Sequence, residues 1–253
     1  MKKLFTIFLF TLPLILSAQE DSVVGGIYKY REPAPSKNKI SSVVLFNGGT
    51  ADLYQVQMTS NIIADRKKIP LHHAPKECLL IVKSGTLLLS MKDSSWSLGK
   101  GSVALIMPPE NCWLQNASTQ PCEFYVLSYT SKKSEDEQRA VNTGGSVVVE
   151  WDQIVFTSHD KGGIRRFLDR PTAMLEKFEM HATTLKEGLK SHDPHTHRAA
   201  EIILMLDGNT EMQVGNNFYK GNAGDMYYAP SNVSHAIRND GKGDCVYFAF
   251  QFQ

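Results

Sequence analysis

The chain has 253 residues and a formal net charge of +1. That length accommodates one large domain or two small ones. Near-neutrality, without a cluster of Lys and Arg interleaved with aromatics, leaves nucleic-acid binding and attraction to anionic membranes without support.

At the start of the chain, Lys2 and Lys3 precede an apolar run from Leu4 to Leu16, and the small residues Ser17 and Ala18 follow. This is the order of a secretory signal peptide, and the run is short for a membrane span. The expectation is a signal peptide over residues 1–18, cleavage after Ala18, and a periplasmic or secreted protein with no membrane attachment afterwards. A retained signal anchor is the alternative. The four cysteines, Cys78, Cys112, Cys122 and Cys245, all lie beyond this segment. Export permits disulfides, but their spacing is no zinc pattern and a chain this long needs no covalent staples, so buried free thiols are expected.

Beyond Ala18 the chain reads as strands. Val43–Phe46, Leu79–Val82, Thr86–Ser90, Val103–Met107 and Phe124–Tyr129 are short apolar runs rich in branched and aromatic residues, punctuated by Gly, Pro, Asn and Asp. The polar stretch Ser131–Ser146, with Gly144 and Gly145, suits a linker. The same texture returns at Phe178–Leu185, Ile202–Leu206, Met226–Ala229 and Val246–Phe250. Long stretches with a helical period are missing, and regular short strands predict an all-β sandwich or barrel.

The chain also repeats itself at a nearly constant offset. Thr50 and Ala51 fall on Thr172 and Ala173, Glu77 on Glu201, Gly101 on Gly224, and Asn116 on Asn239. This predicts an internal duplication of about one hundred residues per copy. The expected units are residues 19–131 and 147–253, joined by a linker over 132–146.

The most informative segment is His192-Asp-Pro-His195-Thr-His197-Arg-Ala-Ala-Glu201, ending at Gly208. On a strand, alternate side chains share a face, so His195, His197 and Glu201 have one parity. A second segment, Gly224 to Asn239, adds His235 after a turn at Pro230. Three imidazoles and a carboxylate suit manganese, iron, zinc, nickel or copper, with manganese slightly favoured. An octahedral ion held this way keeps two positions open for a small molecule.

These two segments resemble the two cupin motifs, Gly-x(5)-His-x-His-x(3,4)-Glu-x(6)-Gly and Gly-x(5)-Pro-x-Gly-x(2)-His-x(3)-Asn. Six residues, not five, separate Gly188 from His195, and Asn232 stands at the loop glycine of the second motif, a residue that also tolerates turn conformations. With the duplication, the resemblance is to a bicupin: two tandem cupin barrels, an all-β double-stranded β-helix or jelly-roll architecture, with a metal held by His195, His197, Glu201 and His235. In the first copy the aligned residues are Leu71, His73, Glu77 and Cys112. Leu71 cannot ligate, so this copy is expected to be a degenerate, metal-free barrel, with a site of His73, Glu77 and Cys112 as the alternative. His72 faces the wrong way unless the strand bulges.

Other residues have weaker claims. Met180, Met205 and Met212 are expected to line an apolar interior, and Tyr227, Tyr228 and Arg238 lie close to the second segment. Arg165, Arg166 and Arg170 read as a solvated face, and His192 and Asp193 as loop residues that can also support the ligands. The resemblance implies a metal-dependent enzyme acting on a small oxygen-rich, sugar- or carboxylate-derived substrate by Lewis-acid catalysis, with homo-oligomerisation as a further possibility. A non-catalytic binding or sensing bicupin is the alternative. The layout is also similar to that of the (S)-ureidoglycine aminohydrolases, manganese bicupins with a degenerate first barrel. Their ligand pattern, Glu-x-His-x(3)-His with a later Gln, differs from the one here, which counts against that activity.

Overall fold

The computed structural model describes residues 22–34, 40–64, 66, 68–71 and 76–253. The expected signal peptide lies outside the described residues, as do His72 and His73. Among the described residues the chain is almost entirely antiparallel β-structure, arranged as two barrels of one large and one small sheet each. No described helix is long and apolar enough to cross a membrane.

In the C-terminal half the large sheet runs, in spatial order, Gly26–Tyr28, Met226–Ala229, Ala200–Asp207, Cys245–Phe252, Phe178–Leu185, Gly162–Arg170 and Thr157–His159. Facing it are Asn217–Asn222, Asn209–Val214 and His235–Asn239. In the N-terminal half the large sheet runs Val147–Val149, Val103–Ile106, Glu77–Ser84, Cys122–Ser131, Leu53–Ile63 and Ser41–Gly48. Its small partner is Lys68–Leu71, Cys112–Asn116, Leu87–Met91 and Ser94–Leu98.

Two strands cross between the halves. Gly26–Tyr28 pairs with Met226–Ala229, and Val147–Val149 pairs with Val103–Ile106. Each barrel thus completes its large sheet with an edge strand from the other half, and each added strand covers an edge that would otherwise expose unpaired amides. The first exchange is pinned by the buried Asp225, which accepts from Tyr30 N at 2.8 Å, Lys29 Nζ at 2.9 Å and Asn222 N at 2.9 Å.

The large sheets are buried on both faces, which explains their nearly continuous apolar runs. In the Ala200–Asp207 strand, Ile202 and Leu204 enter a core shared by both halves, while Ile203 and Met205 enter the C-terminal barrel. In the Glu77–Ser84 strand, Leu79 and Ile81 join the shared core, while Cys78, Leu80 and Val82 enter the N-terminal barrel. Met180 and Tyr228 belong to the shared core, which corrects the expectation that Met180 lines the barrel; Met205, Met212 and Tyr227 do lie inside it. All four cysteines are buried and free.

The duplication is visible in detail. The Asn116 amide donates to Ile63 O and Gln120 O, and that of Asn239 donates to Leu185 O and Gly243 O. Thr50 and Thr172 each accept from the amide three residues on, that of Leu53 or Leu175. The alignment of Glu77 with Glu201, however, is corrected by one residue. Glu201 pairs with Ala229, whereas Cys78 pairs with Ile106, the counterpart of Ala229, so Cys78 is the structural equivalent of Glu201. Because side-chain direction alternates, Glu77 faces the opposite way, into the shared core. There its carboxylate accepts from Thr172 Oγ1 at 2.7 Å and Met174 N at 3.1 Å, clamping a turn of the other half.

Burial pushes the Glu77 carboxyl above the usual glutamate range, against the opposing pull of Thr172 and the other donors around it. A folded-state pKa raised in this way favours the fold while the group is protonated, and that contribution is lost as pH rises through the folded value. Denaturant unfolding of the wild type is therefore expected to show stability falling as pH climbs above 4.5, the ordinary glutamate value. Glu77→Gln should flatten that slope, and Glu77→Ala should cost about 2–4 kcal/mol at any pH by stripping two buried donors of their acceptor.

Candidate metal centre

The segment carrying the first two histidines is held beside the His235–Asn239 strand by bridges at Lys190–Arg238 and His195–His235. His195 N donates to His235 O at 3.2 Å and His235 N to His195 O at 3.0 Å. Residues that exchange both backbone bonds stand directly opposite each other, so the two imidazoles share a face. Their ring centroids are 4.8 Å apart, and His197 lies 5.2 Å from His195 and 4.8 Å from His235. Asn232 adopts a left-handed φ of 59° in the turn before His235, the conformation a glycine would supply, and its amide donates to His197 O at 2.9 Å. The turn therefore ties the two ligand segments together.

Glu201 is the second residue of the Ala200–Asp207 strand and projects into the barrel on the same face as Ile203 and Met205. Its Oε2 lies 3.1 Å from His197 Nε2 and 3.5 Å from His235 Nε2, and accepts from Gln251 Nε2 at 3.0 Å. The three imidazoles gather in the barrel mouth, and the Glu201 carboxylate reaches two of them, His197 and His235. His197 and Glu201 come together through a loop between His197 and Ala200 rather than along one continuous strand.

The electrostatics suit a cation. Burial opposes ionisation of Glu201, but the hydrogen bond with His197 and the charge of the neighbouring imidazoles outweigh it and hold the carboxyl far below the usual range. The His197 imidazole is raised chiefly by its bond to Glu201. Burial lowers His195, reinforced by the His192, His235 and His197 rings, which keeps it neutral and able to donate a lone pair.

The residues fit a divalent metal. His197 Nδ1 is bonded to Ala199 O at 2.7 Å and His235 Nδ1 to Val233 O at 2.8 Å, an outer arrangement that turns each Nε2 towards the cluster. His235 Nε2 is buried with no hydrogen-bond partner. Such an orphaned acceptor is costly unless something binds it. The donor atoms of His195, His197 and His235 all lie within 4.8 Å of one another. Ligands about 2.1 Å from an ion sit about 3.0–3.4 Å apart, so the imidazoles would close slightly on loading.

Other residues assume clear places. His192 stacks edge-on against His195 at 4.2 Å, at the exposed rim. Arg238 pairs with Glu211 and Asp240 on the outer face of the small sheet. Arg170 is half-buried and donates to Thr143 O and Gly145 O, and Arg165 lies 4.5 Å over Trp151, so neither is the solvated charge expected; Arg166 is exposed. Arg198, beside His197, makes a two-pronged pair with Asp52 at 2.6 and 2.8 Å, anchoring the ligand loop to the N-terminal half.

Sequence reasoning missed Gln251, Glu179 and His181. All three face the barrel interior: they share parity with Tyr247 and Ala249 on one strand and with Leu185 on the next. His181 Nδ1 lies 3.0 Å from Glu179 Oε1. The signal was present as Glu-x-His, two ionisable residues of one parity within a strand that has no others.

In the N-terminal barrel Leu71 stands opposite Cys112 as His195 stands opposite His235, and Cys78 occupies the place of Glu201. Burial pushes the Cys112 thiol up to about 12 and raises Cys78 further, so both stay protonated. Glu77 is turned away from Cys112 into the shared core, and His73, the other member of the alternative site, lies outside the described residues.

Residues 182–250 match the family model of the cupin domain. The C-terminal half thus carries a cupin domain, and the fold of the whole chain is that of two-barrel cupin structures. No curated protein matches it. Among solved structures, AerE from Microcystis aeruginosa is 18% identical, with 90% of this chain and 99% of that one covered and a TM-score of 0.67. Oxalate decarboxylase from Lactobacillus farciminis, solved as a formate complex, is 13% identical over 91% of this chain and 87% of that one, with a TM-score of 0.68. The oxalate decarboxylase of Bacillus subtilis, described for its Mn(II) centres, is 13% identical over 92% and 79%, with a TM-score of 0.65. At these identities the likeness is one of fold.

Two outcomes are expected. Elemental analysis of purified protein should find one divalent ion per chain, and His235→Ala should abolish it while leaving the β-rich circular dichroism spectrum unchanged. Gln251→Leu should weaken metal affinity about 10- to 100-fold, the usual cost of removing an outer partner of a ligand, as read by competition with a chelator.

Proposed function

We propose that this bicupin is a metal-dependent enzyme for a small oxygen-rich molecule, sugar- or carboxylate-derived, bound in the mouth of the C-terminal barrel. The single observation behind this reading is the convergence of His195, His197, Glu201 and His235 around the unpartnered His235 Nε2. A bound divalent ion would supply a Lewis acid that polarises a carbonyl or carboxylate oxygen. Glu201 has a ligand's role rather than a base's, since its carboxyl is held ionised beside two imidazoles. Mixed nitrogen and oxygen donors with room for further ligands favour manganese or iron over a closed structural zinc site. The chain is proposed to act outside the cytoplasm after removal of residues 1–18, with no nucleic-acid or membrane partner.

The test is a screen of short hydroxy acids, keto acids and sugars against protein loaded separately with Mn²⁺, Fe²⁺ and Zn²⁺. Turnover with at least one compound, lost in His195→Ala, is expected. Turnover that survives His195→Ala would overturn the mechanism. Tight binding with no turnover would assign the protein to ligand sensing instead.

A further inference from the structure

Two strands along the same barrel wall from Glu201 stands a second polar group that the reading above does not use. Glu201, Gln251 and Glu179 form one cross-strand row, because Glu201 pairs with Gln251 and Gln251 pairs with Glu179. Adjacent strands lie about 4.8 Å apart, so Glu179 sits about 10 Å along the wall from Glu201, and His181 lies one inward position further on, in the row of Ala249 and Ile203. The side chains of this pair point into the same barrel, only 19% and 20% exposed, with His181 Nδ1 3.0 Å from Glu179 Oε1.

This position is unusual for the fold's interior. The neighbouring inward residues are Thr183, Leu185, Tyr247 and Ala249, and an imidazole–carboxylate pair among them costs desolvation without adding to the core. The Glu179 carboxylate accepts from Nδ1 of His181, and the doubly protonated ring has an Nε2–H left to donate to an anionic ligand. Charged residues of both signs stand near the pair. Arg166 stands opposite His181 on the next strand, with Asp169 opposite Glu179, and Lys177 Nζ lies 3.4 Å from Gln251 Oε1.

We propose that His181, oriented by Glu179, binds the far carboxylate of a substrate whose near oxygens are held at the histidine cluster. This rests on the metal-centre reading and sharpens it. The substrate class is a short hydroxy acid or diacid of about four carbons, long enough to reach from the cluster to His181 across the two-strand span. A two-carbon acid reaches only the cluster. His181 is thus a specificity-determining contact, and Glu179 a positioning residue that acts through it.

Isothermal titration of the full-length protein loaded with Mn²⁺ tests this, using malate as the long probe and oxalate as the short one. His181→Ala should weaken malate about tenfold, the loss of one charge-assisted hydrogen bond, while oxalate and Mn²⁺ affinities stay within about twofold. Glu179→Gln should weaken malate less. Unchanged malate affinity in His181→Ala overturns the proposal, as does equal weakening of malate and oxalate, which would mark a merely structural role. Mn²⁺ binding by the wild type without malate binding also overturns it and leaves the metal centre intact. Failure of the wild type to bind Mn²⁺ overturns the metal-centre reading, and this inference with it.

Discussion

Both faces of the two large sheets are buried, and the alternation of side chains along their strands decides where every important residue goes. One face of each sheet enters the core shared by the two halves; the other enters a barrel. A residue's parity is therefore as consequential as its chemistry. Glu201 has the parity that points inward and joins the histidine cluster. Glu77 has the other parity and becomes a clamp on the Thr172 turn. These two glutamates, similar in local sequence, do unrelated work because one residue separates their registers.

The same constraint ties the site to the whole molecule. The shared core holds the large sheets face to face, and the exchanged strands Gly26–Tyr28 and Val147–Val149 stitch their edges. The strand Met226–Ala229, which leads into the Pro230 turn and His235, is hydrogen-bonded on one side to the N-terminal segment and on the other to the strand of Glu201. Arg198 reaches back to Asp52 from beside His197. The degenerate barrel thus does structural work for the intact one: it supplies an edge strand, an anchor and half of the common core.

Within the mouth, the cluster is prepared for a cation by its backbone. Two carbonyls take the Nδ1 protons of His197 and His235, and a left-handed Asn232 shapes the turn that brings His235 to His195. These contacts belong to the loops, while Glu201 and Gln251 come from rigid strands. A site built in this way fixes its ligand orientation before any ion arrives.

Much of this was legible from the residues. Short branched runs with Gly and Pro punctuation reported an all-β chain, the constant offset reported two copies, and the four ligand residues stood in a spacing specific enough to name the fold. The repeated Asn116 and Asn239 keep the same hydrogen bonds in both copies, so the duplication is written in residues whose roles are local. What tertiary structure alone decided was register and reach. The chain has seven steps from Leu71 to Cys78 but six from His195 to Glu201, so an alignment by residue type chose Glu77 over Cys78. Only strand pairing reveals which neighbour faces inward. The exchange of edge strands and the placing of Gln251 beside Glu201 likewise depend on contacts between residues far apart in the chain, which carry no local signal for a period or a motif to express.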